Sequence, residues 1–101
     1  MKTMAHHPYM KNLVHTLKCY PAFFVEVKTG SKTFEVRKND RGFQVGDEIL
    51  LHEFVPQNYY EDQVIDEYYT GQVCHRKITY VLPGGQFGIE PGYVVIGLQP
   101  I

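Results

Sequence analysis

The chain has 101 residues, a length that fits one domain built around one hydrophobic core. Apolar residues make up 44% and charged residues 21% of the sequence, an ordinary globular composition that argues against a disordered chain. The formal net charge is −1, so the protein as a whole does not attract polyanions, and only a local basic patch could hold nucleic acid.

The N-terminal part of the chain predicts a leader followed by a strand. Residues 1–11 are rich in His, Lys and Met without periodicity, and we interpret them as a flexible leader. The folded domain is therefore predicted to span residues 12–101. Residues 13–18 alternate in polarity as a β-strand does. One face of this strand is predicted to carry Leu13, His15 and Leu17.

A helix is predicted over residues 21–28. Pro21 suits its first turn, where the missing N–H costs nothing, and Gly30 is a suitable stop signal. The spacing places Phe23, Phe24 and Val27 on one side, which we expect to be the buried side.

Residues 33–37 alternate sharply and predict the second strand. On the usual rule that apolar side chains face the core, Phe34 and Val36 are expected to point inward. Thr33, Glu35 and Arg37 then share the opposite face.

The rest of the chain predicts three further strands and one long loop. The strands are expected at residues 48–54, 68–82 and 93–98, and the acidic, Tyr-rich segment 56–67 is expected to be a surface loop. The middle strand is long for a single strand, so a bend near Gly71 or a bulge near Arg76 is expected. The fold class is α+β, mainly β: a small mixed barrel of five to six strands with one or two helices.

The compartment is predicted from what the sequence lacks. No apolar run approaches the roughly 20 residues of a membrane span, and the N-terminus has no apolar signal-peptide core. A cytoplasmic protein without membrane contact is expected. Cys19 and Cys74 are then most simply two buried thiols. The five histidines and two cysteines form no zinc-ligand spacing, so neither a metal nor a cofactor is predicted.

The candidate site lies around the second strand. Glu35 and Arg37 are two residues apart and so project from one face, with Lys32 just before the strand. Arg37 offers a planar fork of donors for phosphate or a base edge, Lys32 a compact positive charge, and Glu35 an acceptor for a base amine. The alternative interpretation is an ion pair on a wet surface, which stabilises little.

The distribution of charge favours a binding surface near this strand. Half of the ten basic residues lie between positions 28 and 41, whereas acidic residues gather in the loop 56–67. His15, Lys18 and Arg41 are further candidate contacts for nucleic acid. Tyrosines of the loop and the following strand are candidates for stacking on unpaired bases: Tyr59, Tyr60, Tyr68 and Tyr69.

Residues 30–37 resemble the signature of the ASCH domains, GxKxxExR, with Gly30, Lys32, Glu35 and Arg37 at the fixed offsets. The chain is also similar to a bacterial and phage family, the ASCH-related domain of unknown function 3850. Its hallmarks are found at residues 15–18, 37–43, 45–47, 69–71 and 84–88. The resemblance implies a PUA-like barrel with a cleft beside the first helix, in a superfamily whose members bind RNA or modified bases.

One ASCH group of similar size hydrolyses the acetyl amide of N4-acetylcytidine, and this resemblance implies a catalytic role for Lys32. Glu35 stands where that group has a threonine, and Glu61 and Glu67 are the candidates for its later glutamate. The leading hypothesis is therefore an RNA- or modified-nucleoside-binding module. The alternatives are a small nucleoside amidohydrolase, with Lys32 and Glu35 catalytic, and a regulatory module that binds another protein through the loop 56–67.

Overall fold

The structure, a computed structural model, describes residues 12–101; the predicted leader, residues 1–11, lies outside them. Five strands and one helix occur in this part of the chain. In chain order they are β1 (Val14–Cys19), α1 (Pro21–Lys28), β2 (Phe34–Lys38), β3 (Glu48–Val55), β4 (Tyr68–Pro83) and β5 (Tyr93–Pro100). All six were predicted from the sequence, with ends that differ by no more than two residues.

The strands form one sheet in the order β1-β3-β4-β5-β2. The pair β1 and β3 is parallel, and the other three neighbouring pairs are antiparallel. The sheet curls into a half-barrel, so the predicted α+β, mainly-β class is confirmed. β1 and β2 are the two outer strands, so the opening of the half-barrel lies between them. We name this opening the seam.

The helix connects β1 to β2 and packs against β3 and β4. Pro21 occupies its first turn, as predicted, and the chain leaves it through Thr29. Phe24 and Val27 are buried, and the guanidinium of Arg76 in β4 donates a 3.0 Å hydrogen bond to the carbonyl of Val27. Phe23 was expected on the same buried side, which is wrong, because its side chain is 53% exposed. A helix this short covers only a narrow strip of the sheet.

The core consists of the inward-facing residues of the sheet together with the buried side of α1. Its most deeply buried members are Ile49, Leu51, Ile78 and Ile96. Cys19 and Cys74 both lie in this core as free thiols, as predicted. Leu13 was predicted to share one face of the first strand with His15 and Leu17, but it precedes β1 and is exposed, whereas the other two are buried.

The long strand β4 contains two irregularities. Its register with β3 shifts between the pairs His52–Val73 and Phe54–Tyr69, around Gly71, whose φ is +92°. The predicted bend near Gly71 is thus confirmed. The second irregularity is a shift against β5 at Thr79 rather than at Arg76.

The two faces of β2 are the reverse of the prediction. Glu35 is 4% exposed, whereas Phe34 and Val36 are 44% and 52% exposed. Alternation along a strand separates two faces, but the choice of the inner face rested on hydrophobicity alone. In this strand the buried carboxylate is compensated by two cations, as described below.

No helix among the described residues has the length and apolar character needed to cross a lipid bilayer.

Candidate ligand-binding groove

Lys32, Glu35 and Arg37 form a continuous chain of charged groups. The Lys32 ammonium donates to one carboxylate oxygen of Glu35 and, at 2.8 Å, to the carbonyl of Phe34. The other oxygen accepts from Nε and from a terminal nitrogen of Arg37, at 3.1 and 2.8 Å. Since Glu35 is buried and both cations are partly exposed, the group presents positive charge outward and keeps the carboxylate beneath.

The turn between α1 and β2 brings Lys32 onto this group. Gly30 has φ +90°, a conformation that side chains disfavour, and the Lys32 N–H returns to the carbonyl of Glu26 at 2.9 Å. The chain therefore reverses tightly at the end of the helix. Lys32 lies outside the alternation of β2, so this turn is what brings its side chain within reach of Glu35.

Arginine side chains cross the seam from the β2 side to β1. Arg37 donates to the carbonyl of Lys18 at 2.8 Å, and Arg41 donates to the carbonyl of Thr16 at 2.9 Å. Both acceptors lie on the free edge of an outer strand, where a barrel would have a neighbouring strand. Guanidinium groups thus satisfy backbone acceptors that strand pairing leaves open.

A groove of about 860 Å³ opens along the seam beside these residues. Its walls are mainly aromatic and aliphatic, and its charged members include the whole Lys32–Glu35–Arg37 group. The lining residues are Lys18, Cys19, Tyr20, Phe23, Lys32, Phe34, Glu35, Val36, Arg37, Phe54, Pro56 and Glu67. We refer to this surface as the seam groove.

Cations and rings are in direct contact within the seam groove. The Lys32 ammonium lies 5.0 Å from the ring centre of Phe34 and 5.5 Å from that of Phe23. The Lys18 ammonium lies 4.3 Å from the ring centre of Phe54. These distances are within the range of cation–π attraction, which holds the ammonium groups against the aromatic walls.

A smaller concavity of about 380 Å³ adjoins the groove and shares Lys18 and Arg37 with it. Its other lining residues include Arg41, His52 and Tyr69. We refer to it as the basic recess, because none of its lining residues is acidic.

Of the six residues predicted to bind a ligand, the structure brings five to these two concavities: Lys18, Lys32, Glu35, Arg37 and Arg41. His15 lies elsewhere. It is buried against Phe43, and its Nε2 is 2.8 Å from a carboxylate oxygen of Asp47. His15 and Asp47 are parts of the core, so the placement of His15 at a ligand surface is corrected.

The predicted stacking tyrosines are also separated. Tyr69 lines the basic recess, but the Tyr59 hydroxyl accepts the N–H of Ala22 at 3.3 Å and its ring packs against Tyr20 and Tyr60. Through Tyr59 the loop 56–67 is attached to the first turn of α1. The loop also contributes Pro56 and Glu67 to the lining of the seam groove.

Sequence reasoning missed the aromatic walls and His52. Phe23 and Phe34 were assigned to the core because they are apolar, although they line the groove instead. Phe54 and His52 belong to β3, and no motif in that strand connected it with the site. Their approach to β2 depends on the curling of the sheet, and local sequence patterns contain no such information.

Cys19 is the cysteine that lines the seam groove together with the charged group. Burial raises the pKa of its thiol to about 11, and the negative charge of Glu35 adds to this rise, while Arg37 and Lys32 oppose it. The thiol therefore stays protonated and inert near neutral pH. Among residues 12–101 no three His, Cys, Asp or Glu side chains are grouped as metal ligands.

The family model described as "Domain of unknown function (DUF3850)" matches residues 14–98. The chain belongs to this family. The match extends from the first residue of β1 to Leu98 in β5, so it includes the residues of the seam groove and the basic recess. The predicted resemblance to this family is confirmed. The family's description names no ligand and no activity.

A relative with a local match is an uncharacterized 12.9 kDa protein in the GpA 3' region of Escherichia phage P2. It is 40% identical to this chain over 42 residues, which is 42% of the chain and 38% of the relative. The alignment thus spans well under half of either protein.

Proposed function

We propose that this protein binds RNA or a modified nucleoside in the seam groove, as a PUA-like module of the ASCH type. The observation that carries the proposal is the composition of the groove. Aromatic rings on its walls, above all Phe23, suit the faces of an unstacked base. At its side the Lys32 ammonium and the Arg37 guanidinium, held by the buried carboxylate of Glu35, present donors to the polar edges of that base.

The charges of the groove favour a polar or anionic ligand over a purely apolar one. Three cations line the groove, Lys18, Lys32 and Arg37, against two carboxylates, Glu35 and Glu67, which leaves one positive charge in excess. A base with a ribose or phosphate group meets both requirements, because it offers a planar ring and polar groups at once.

A binding assay with matched helix variants tests the proposal. Titration calorimetry would use natural nucleosides, N4-acetylcytidine and a short unstructured oligoribonucleotide as probes. Phe23→Ala should weaken binding about 5- to 150-fold, since stacking of a base on an aromatic ring contributes roughly 1–3 kcal/mol. Val25→Ala is the control, because Val25 is similarly exposed on the same helix and does not line the groove.

If the folded protein releases or absorbs no heat of binding with any of these probes, a nucleic-acid function of the groove is excluded. If Phe23→Ala and Val25→Ala weaken binding equally, the loss comes from a change in the helix and not from the missing aromatic ring.

A second candidate function, hydrolysis of an acylated nucleoside, is favoured by the position of Glu67. This carboxylate lines the same groove as Lys32, and its side chain makes no hydrogen bond within residues 12–101. Glu67 would take a proton from the attacking water, which bonds to the acetyl carbon. The C–N bond breaks, the amine of cytidine takes up a proton, and acetate is released.

Chromatographic detection of cytidine after incubation with N4-acetylcytidine tests this second function. Glu67→Gln keeps the size of the side chain and removes its basicity, so it should abolish cytidine release. Release equal in the wild type and in Glu67→Gln, or none in either, would contradict it.

A further inference from the structure

The basic recess contains a group of cations that the seam groove does not explain. Lys18, Arg37 and Arg41 line it together with His52, and none of its lining residues is a carboxylate. Its charge is therefore wholly positive, in a protein whose formal net charge is −1. A local concentration of this kind in a concave surface attracts anions.

The arginines of the recess have N–H donors that are not used in hydrogen bonds within residues 12–101. Arg37 uses Nε and one terminal nitrogen for Glu35 and Lys18, so its other terminal nitrogen makes no hydrogen bond within residues 12–101. Arg41 likewise uses one terminal nitrogen for the carbonyl of Thr16, and its Nε lies 3.6 Å from a carboxylate oxygen of the exposed Asp40. Backbone contacts thus hold both guanidinium groups in place and leave donors for a ligand.

Two further donors complete the lining. The Lys18 ammonium is held over the ring of Phe54 and makes no hydrogen bond to the described residues. The His52 ring contacts Tyr69 edge-on, with ring centres 6.1 Å apart, and also makes no hydrogen bond to them. Guanidinium, ammonium and imidazole donors around a small hollow match the several acceptor oxygens of a phosphate group.

The recess and the seam groove meet at Lys18 and Arg37, which line both. From this we infer that the basic recess is a phosphate subsite, so that the protein recognises a phosphorylated nucleoside: the base lies in the seam groove and its phosphate in the recess. This inference rests on the proposed function and adds the class of ligand to it. The phosphate can be the terminal group of a free nucleotide or a bridging group of RNA.

Calorimetric titrations with cytidine, cytidine 5′-monophosphate and a short oligoribonucleotide distinguish these cases. The wild type should bind the monophosphate or the oligonucleotide about tenfold or more tightly than cytidine, as expected for charge-assisted hydrogen bonds. A gain with the monophosphate indicates a terminal phosphate, and a gain with the oligonucleotide alone indicates a bridging one. Either gain supports the subsite.

Two variants connect the gain to the recess. In Arg41→Gln and in His52→Gln the ratio between the Kd of cytidine and that of the phosphorylated probe should fall towards one. The second variant protects the test against a loss of stability in the first, since His52 makes no hydrogen bond within residues 12–101. Lys28→Gln is the control and should retain the ratio, because Lys28 is bonded to Gln72 and lines neither concavity.

The failures of the two proposals can be told apart. If cytidine binds and phosphate adds nothing, or if the gain survives both recess variants, the phosphate subsite is excluded and nucleoside binding stands. If cytidine, the monophosphate and the oligonucleotide all fail to bind, the proposed function fails and the subsite with it.

Discussion

The guanidinium of Arg37 donates a 2.8 Å hydrogen bond to the backbone carbonyl of Lys18, and this contact joins the two outer strands of the sheet. The same guanidinium also neutralises the buried carboxylate of Glu35. Arg37 therefore combines a structural role at the seam with a position in the wall of both concavities. We therefore expect its removal to affect folding as well as the proposed binding.

Arg37→Ala should lower the free energy of unfolding by about 2–3 kcal/mol. The substitution removes three hydrogen bonds and leaves Glu35, which is 4% exposed, with Lys32 as its single cation. Urea denaturation followed by circular dichroism measures the change. Lys38→Ala is the control on the same strand, and its exposed side chain should matter little. Coincident denaturation curves for the two variants would show that the seam contact is energetically unimportant.

The order and bounds of the elements were predictable because each has a local signal. Pro21 and Gly30 delimit the helix, and alternation predicted β1 and β2. The positive φ of Gly71 accounts for the predicted bend in β4. Such signals act within a few residues, so a single sequence is sufficient for them.

The arrangement of the site was predictable only in part. The motif spacing indicated that Lys32, Glu35 and Arg37 belong together, and the structure places them in contact. The orientation of β2 was not predictable, because the usual preference for apolar residues inside is overruled here by two cations around Glu35. The curling of the sheet, which brings Phe54 and His52 to the site, depends on contacts between distant strands.

Asp47→Asn tests the polar group within the core. Both carboxylate oxygens of Asp47 are used: one accepts the N–H of Leu13, and the other accepts the N–H of Gln44 and lies 2.8 Å from Nε2 of His15. An amide has one oxygen, so the variant turns an NH₂ group towards a donor and leaves it unpaired. We expect a loss of about 1–3 kcal/mol in the free energy of unfolding.

Asp40→Asn is the matched control for Asp47→Asn. Asp40 lies in the same connection between β2 and β3, but it is exposed, and its carboxylate is 3.6 Å from Arg41 at the surface. Thermal unfolding should show a Tm close to that of the wild type for Asp40→Asn and a clearly lower one for Asp47→Asn. Similar Tm values for both variants would contradict a structural role of the buried carboxylate.

Gly84→Ala should destabilise the connection between β4 and β5. A Cβ at Gly84 would lie 2.0 Å from the carbonyl oxygen of Glu90 and 2.6 Å from that of Tyr93, and backbone cannot yield as a flexible side chain does. We expect a loss of about 1–3 kcal/mol in urea denaturation, as for other overpacked sites. Backbone hydrogen bonds such as that from the Gly84 N–H to the carbonyl of Tyr93 hold this connection together, so hydrogen exchange should increase first in residues 84–93. Unchanged exchange and stability would mean that the connection relaxes without cost.

The buried thiol of Cys19 predicts a loss of stability in alkaline solution. Its pKa is raised from 9.0 to about 11, chiefly by burial and further by Glu35, so the unfolded chain releases this proton at a lower pH than the folded one. The stabilisation is complete below pH 9 and is lost as pH rises towards 11. Cys19→Ser removes this titration, so the free energy of unfolding of the wild type relative to that of Cys19→Ser should fall by roughly 2 kcal/mol between about pH 8 and pH 10.5. A difference independent of pH would show that the thiol ionises as easily in the folded protein as in the unfolded chain.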